Sequence, residues 1–169
     1  GGASGLAASI FAARESQENF SVALLEKGKR VGRKLLSTGN GTCNLSNINP
    51  SSIRYHGMNP SFPEYVLNSF TSEDTCSFFN SIGVECIERE NGKIYPICAH
   101  AGAVLDCLRM EAHSLGVHEV CDIEANNIKR ENNIFLISGN DKKISAKKVI
   151  ICTGGASYPS LGGSSDAYL

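Results

Sequence analysis

Tryptophan is absent from these 169 residues and methionine occurs only twice. The longest apolar runs, such as VIIC at 149–152, fall far short of the roughly 20 residues a membrane-spanning helix needs. No charged start followed by an apolar stretch marks a secretory signal. Charge of one sign is lacking too. With 16 basic and 17 acidic residues the net charge is −1, which leaves no electrostatic ground for a nucleic-acid partner. The seven cysteines, Cys43, Cys76, Cys86, Cys98, Cys107, Cys121 and Cys152, include no CxxC pair, which excludes zinc-ribbon and thioredoxin-type readings. His56, His100, His113 and His118 form no HExxH or other ligand-spaced cluster, so no metal is expected. What remains is a composition 41% hydrophobic and 20% charged. It suits one soluble globular domain of a cytoplasmic protein with reduced thiols and no membrane association, and the helix and strand patterns that follow make that domain α/β.

The chain opens GGASGLAAS, a glycine turn followed by small apolar residues. Leu6–Arg14 reads as a buried, alanine-rich helix, and VALLE at 22–26 as a parallel strand covered on both faces. Residues 27–49 form a long polar loop, basic first and then rich in Gly, Ser, Thr and Asn; such a loop inside a compact domain is functional or disordered. A helical and hairpin excursion spans about 50–116. It comprises a helical pattern from Pro63 to Gly83, a hairpin of Val84–Glu88 and Lys93–Ile97 about Glu90-Asn91-Gly92, and a helix over Ala101–Leu115 ended by Gly116. Short strands at 117–121, 123–129, 134–138 and 142–145 read as a β-meander over about 117–146, and 147–152 as a strand returning to the main sheet.

The chemistry lies in the opening turn and the acid after it. In a GxGxxG fingerprint the second glycine admits a pyrophosphate to the backbone, and the third lets helix and strand pack closely. An acid about 20 residues on accepts hydrogen bonds from a ribose diol. Gly2 and Gly5 take the last two glycine positions, the first falling one residue before Gly1, and Glu26 lies 21 residues beyond Gly5 at the end of VALLE. The helix N-terminus favours the phosphate charge. A carboxylate at Glu26 would repel a 2′-phosphate, which favours FAD or NAD over NADP. The long loop with Arg33, Lys34, Ser37, Gly39, Gly41 and Asn44 favours the larger cofactor, its cations placed to neutralise phosphates and its glycines to admit a flat ring.

Four stretches together, GGASGLAA, VALLEKGKRVGRKLLSTGNGTCNLSN, NGKIYPIC and VIICTGGASYPSLGGSSDAY, closely resemble the BaiN/YhiN-like family of NAD(P)/FAD-dependent oxidoreductases, also called aminoacetone-oxidase-like flavoproteins. GRKLLSTGNGTCNLSN is the most specific of them. The resemblance implies a Rossmann-type, glutathione-reductase-like FAD-binding domain with a β-meander, incomplete at both ends. Residues 1–169 would be its first segment, without the inserted substrate domains and the C-terminal FAD segment of family members. It implies Gly2, Ala3, Ser4 and Gly5 at the pyrophosphate and Glu26 at the adenosine ribose with Lys27 beside it. Arg33, Lys34, Ser37, Gly39, Gly41, Cys43 and Asn44 would run toward the isoalloxazine. Ala125 would offer its backbone to the adenine, and Thr153, Gly154 and Gly155 would form a second glycine turn. The chain departs from the family at Ser165 and Ala167, positions often held by glycine.

The expected activity is oxidoreduction of an unidentified small molecule by FAD, with NAD(P)H a candidate donor. No catalytic acid or base stands out. Cys43 has no cysteine within thirty residues downstream, which excludes a local redox pair and favours a small residue packed near the cofactor. Two rivals remain: an FAD- or nucleotide-binding module without turnover, and a tRNA-modifying flavoprotein, against which the near-neutral charge weighs.

Overall fold

The computed structural model describes residues 1–16, 19–51, 54–56, 58–59, 61–157, 159–161 and 163. The chain divides into two compact units, one of residues 1–35 and 108–169, the other of residues 36–107.

In the first unit, helix α1 (Ala3–Ser16) packs on strand β1 (Ala23–Leu25). The apolar spacing of Leu6, Ile10 and Ala13 buries one face of α1. Strand β1 pairs in parallel with β5 (His118–Val120), in register Ala23↔His118, Leu24↔Glu119 and Leu25↔Val120. Bonds from Glu26 N to the Val120 carbonyl (3.0 Å) and from Ile123 N to the Glu26 carbonyl (3.1 Å) prolong the ladder. Arg14 of α1 donates to Oε1 of Glu111 from Nε (3.1 Å) and from a guanidinium nitrogen (2.7 Å). This half-exposed ion pair is worth at most about 1 kcal/mol.

The same unit holds an antiparallel meander of β6 (Asn127–Glu131), β7 (Ile134–Gly139) and β8 (Lys142–Ala146). Two-residue turns join the strands, with positive φ at Asn132, Asn133, Asn140 and Asp141. Asn and Asp tolerate this left-handed region better than other non-glycine residues, and such turns match the strand twist. Two sequence expectations change here. Strand β5 leaves the predicted meander series and joins β1 instead. The returning strand expected at 147–152 does not form: no described strand lies beside it to complete a ladder, and Ile150 and Ile151 are each 65% exposed.

The second unit contains a sheet ordered β2–β4–β3, formed by Ser46–Asn47 (β2), Cys86–Arg89 (β3) and Lys93–Pro96 (β4). Asn91 and Gly92 take φ of +61° and +71° in the hairpin turn, as the Asn-Gly pair predicts. The helical stretch predicted from Pro63 to Gly83 is two helices, α2 (Glu64–Ser69) and α3 (Ser72–Ser81). Thr71 causes the break. Its extended backbone starts α3, its side chain accepts from Asp74 N, and the Asp74 carboxylate accepts from Thr71 N in return. Helix α4 (Ala101–Ser114), whose residues are shared between the two units, buries Val104, Leu105, Leu108 and Ala112, and Gly116 follows it with φ +73°. Among the described residues no helix is long and apolar enough to cross a membrane.

Candidate functional site

Gly2 stands at the start of α1, and its carbonyl accepts the first helical bond, from Leu6 N at 2.9 Å. The amides of Ala3, Ser4 and Gly5 precede that first bond and have no helical acceptor, and no acidic side chain occupies the first turn. A Cβ on Gly2 would meet nothing within 4 Å. On Gly5 it would come within 3.1 Å of Leu24 Cδ1 and 3.5 Å of Cys152 Cβ. The two glycines therefore differ in kind: one borders open space, the other lets α1 approach β1 closely.

Glu26 follows β1 directly. Its Oε1 accepts from Gly28 N at 2.7 Å and its Oε2 lies 3.3 Å from Gly1 N. A Cβ on Gly1 would run into this side chain. The carboxylate is thus turned toward the glycine turn by backbone donors, with 20% of the side chain still exposed. Lys27 beside it is exposed.

Arg33 and Lys34 are held by the segment after the second glycine turn. Lys34 Nζ donates to the Ser157 carbonyl at 2.7 Å and contacts its hydroxyl at 3.2 Å, and Arg33 reaches the Ser160 carbonyl at 3.4 Å. Part of the donor capacity expected to meet phosphates is engaged with backbone carbonyls. In that second turn Gly154 takes φ +76°, Thr153 and Gly154 are exposed and Gly155 is half-buried. Ala125 is exposed in the link between β5 and β6. This link lies so close to Gly139 that a Cβ there would strike the Glu124 carbonyl.

Ser37, Gly39, Gly41, Cys43 and Asn44 lie in the second unit. Thr38 breaks the 3-10 turn of Leu35–Gly41 with ψ 143°, and Gly39, Asn40, Gly41 and Cys43 then all take positive φ. At Gly39 a side chain would meet Asn44 N at 2.9 Å, and Thr42 Oγ1 and Tyr95 Cε1 at 3.1 Å. Asn44 Nδ2 bonds the Ile94 and Ser46 carbonyls at 3.2 and 3.3 Å, and Ser37 is exposed. Cys43 is buried, and burial pushes its thiol up despite a hydrogen bond with Thr38. It is a packed, protonated residue at neutral pH.

Thus Gly2–Gly5, Glu26, Arg33, Lys34 and residues 152–157, 159 and 160 gather in one unit, and Ser37–Asn44 are organised in the other. The sequence reading missed Gly1, Cys152, Ser157, Ser160 and Tyr95, whose nearness to these residues is purely tertiary. Ser165 and Ala167 lie outside the described residues. Among the described residues no group of three or more His, Cys, Asp or Glu side chains could hold a metal ion.

A glycine turn opening a helix, packed on a parallel strand that ends in an acid, defines a Rossmann-type fold. THI4 from Thermovibrio ammonificans has a similar fold, with a TM-score of 0.50 at 16% identity over 82% of this chain and 45% of that one. So does the 3-ketosteroid-delta4-(5alpha)-dehydrogenase from Rhodococcus jostii RHA1, with a TM-score of 0.58 at 16% identity over 93% and 45%. The chain belongs to the HI0933-like Rossmann domain family, whose model matches residues 1–169, in agreement with the flavoprotein resemblance. It is 37% identical to the 3-dehydro-bile acid delta(4,6)-reductase of Clostridium scindens over 168 residues, 99% of this chain and 41% of that protein. Proteins called ribosomal RNA dihydrouridine synthase from Haemophilus influenzae and Escherichia coli are each 30% identical, over 96% and 99% of this chain and 41% of their own lengths. The chain spans about two-fifths of the curated relatives it matches.

Proposed function

We propose that this chain is the FAD-binding part of a cytoplasmic flavin-dependent oxidoreductase that reduces a polarised carbon–carbon double bond in a small molecule, with NAD(P)H as electron donor. The observation that carries this reading is the meeting of the glycine turn with Glu26. The open space at Gly2 leaves room for a pyrophosphate against the first-turn amides of α1. The Glu26 carboxylate, kept in place by Gly28 N, is a ready acceptor for both hydroxyls of a ribose. FAD bound there would supply the hydride chemistry, while the protein binds and orients it.

The relatives' names sharpen the choice among reactions. A delta(4,6)-reductase and a dihydrouridine synthase both saturate a double bond conjugated to a carbonyl, which favours alkene reduction over amine oxidation. The 37% identity to the bile acid enzyme and the net charge of −1 support a small-molecule substrate. The second reading, reduction of a uridine in ribosomal RNA, draws on the two relatives of that name.

The test uses the protein expressed from its complete gene. A flavin spectrum that bleaches anaerobically with NADH or NADPH, and recovers on adding a conjugated enone, is the expected result. Recovery with ribosomal RNA alone favours the second reading. A yellow protein that no donor bleaches is a binding module, and a colourless one that cannot be reconstituted with FAD overturns the proposal.

A further inference from the structure

Asparagine is followed by glycine at two places, Asn40-Gly41 and Asn91-Gly92. Both asparagines take left-handed backbone, with φ +53° and +61°. In such a pair the glycine nitrogen, unshielded by a side chain, attacks the asparagine side-chain amide once the backbone turns to bring them together. The two pairs differ in what opposes that turn. Gly92 is buried, and its carbonyl accepts from Ile48 N at 2.8 Å. The Asn91 carbonyl accepts from Asn47 Nδ2 at 3.0 Å, and a Cβ on Gly92 would come within 2.7 Å of Ile48 Cγ1. Residues 91 and 92 are thus fastened to β2 and its neighbour Ile48 through both carbonyls. Asn40 is exposed, and around Gly41 a Cβ would find its nearest neighbour, the Leu36 carbonyl oxygen, only at 4.0 Å. Asn40 also stands between two glycines, Gly39 and Gly41, whose backbones turn without steric cost.

We propose that Asn40 is a site of spontaneous deamidation in the folded protein, while packing keeps Asn91 intact. The Gly41 nitrogen gives up its proton and bonds to Cγ of Asn40. The bond from Cγ to Nδ2 breaks, and Nδ2 leaves as ammonia, which closes a five-membered succinimide ring. Water then opens the ring at either carbonyl, leaving an aspartyl or an isoaspartyl residue at position 40. The balance is one water consumed and one ammonia released, with no oxidant or reductant. The exposed loop gains a negative charge and, in the isoaspartyl product, an additional backbone carbon. Both changes fall in the stretch that the proposed function lays along the cofactor, although the reaction itself does not depend on that reading.

Trypsin separates the two pairs, because Asn40 falls in the peptide Leu35–Arg54 and Asn91 in Glu90–Lys93. The whole purified protein is held in mildly alkaline buffer, sampled over days, digested, and read by mass spectrometry with fragment spectra that locate each converted amide. A parallel sample is aged in guanidinium chloride. In the folded protein Asn40 should convert about tenfold faster than Asn91 or more, since Asn91 reacts only through local opening. In denaturant the two rates should converge, which shows that the fold and not the dipeptide sets the difference. The isoaspartyl share of the Leu35–Arg54 peptide should accept a methyl group from an isoaspartyl methyltransferase. Asn91 keeping pace with Asn40 in the folded protein overturns the proposal, and so does an Asn40 that stays unconverted while the denatured sample reacts. Both sites are read in the same wild-type molecule, so no variant has to fold.

Discussion

Gly39 and Gly41 sit two residues apart and both take positive φ, +54° and +85°, yet replacing them has different consequences. Alanine at Gly39 combines φ +54° with the near contacts of Asn44, Thr42 and Tyr95. It should destabilise the protein by about 1–3 kcal/mol. At Gly41 the nearest atom is 4.0 Å away, so only the left-handed strain remains, about 1 kcal/mol. Urea midpoints of the two variants measure the difference. Glu26→Gln keeps size and removes charge. Losing charge-assisted bonds to a ribose should weaken FAD binding by about 1.5–3 kcal/mol, roughly ten- to a hundredfold, read by flavin titration of the apoprotein. The cysteines set an alkaline limit. Burial raises the thiols of Cys43, Cys86 and Cys121 above their ordinary value of 9.0, with Cys86 reaching about 12. A group whose folded pKa is raised stabilises fully below its unfolded value and loses that contribution as pH climbs toward the folded one. Stability should therefore fall between about pH 9 and 12, with a shallower fall in Cys86→Ala, as denaturation midpoints at pH 8 and 10.5 will report.

Whole elements were legible from sequence where their signals are local. Asn91-Gly92 and the Asn-rich pairs at 132–133 and 140–141 need only their own backbone preferences to turn the chain, and Gly116 needs only its place after an apolar helical face. The break between α2 and α3 is local as well, but the apolar residues at 66, 67, 70, 78, 79 and 82 give no sign of it, and only the Thr71–Asp74 box marks it. Thr71→Ala should leave α3 in place and speed amide exchange in its first turn. Residues 147–152 were misread for another reason: β-propensity describes one chain, whereas a strand exists only with a neighbour. Gly5 is the matching case at the helix. Its closeness to Leu24 and Cys152 predicts that Gly5→Val forces α1 off β1, costing about 1–3 kcal/mol by overpacking. Circular dichroism melts and flavin content should fall together.

For the molecule as a whole, the fold class could be read because the glycine turn, VALLE and Glu26 obey a spacing rule that geometry enforces. The tertiary part of the site could not. The tie from Lys34 to Ser157 joins residues 123 positions apart, and composition gives no sign of it. If the whole protein holds FAD in its folded state alone, excess cofactor must raise its stability, by about 2.7 kcal/mol at a hundred times the dissociation constant. Melting temperatures with and without FAD decide this, and no shift would count against the proposed cofactor. The parallel register of Ala23 with His118 also bears on how the chain is made. The meander strands each find a partner within a few residues, while Leu24 and Leu25 must wait for positions 119 and 120. At ribosomal speeds of about 5–20 residues per second, that interval is roughly 5–20 s. Throughout it β1 is out of the ribosome without β5, the strand it pairs with here, and its unpaired edge is open to mispairing or to a chaperone during synthesis.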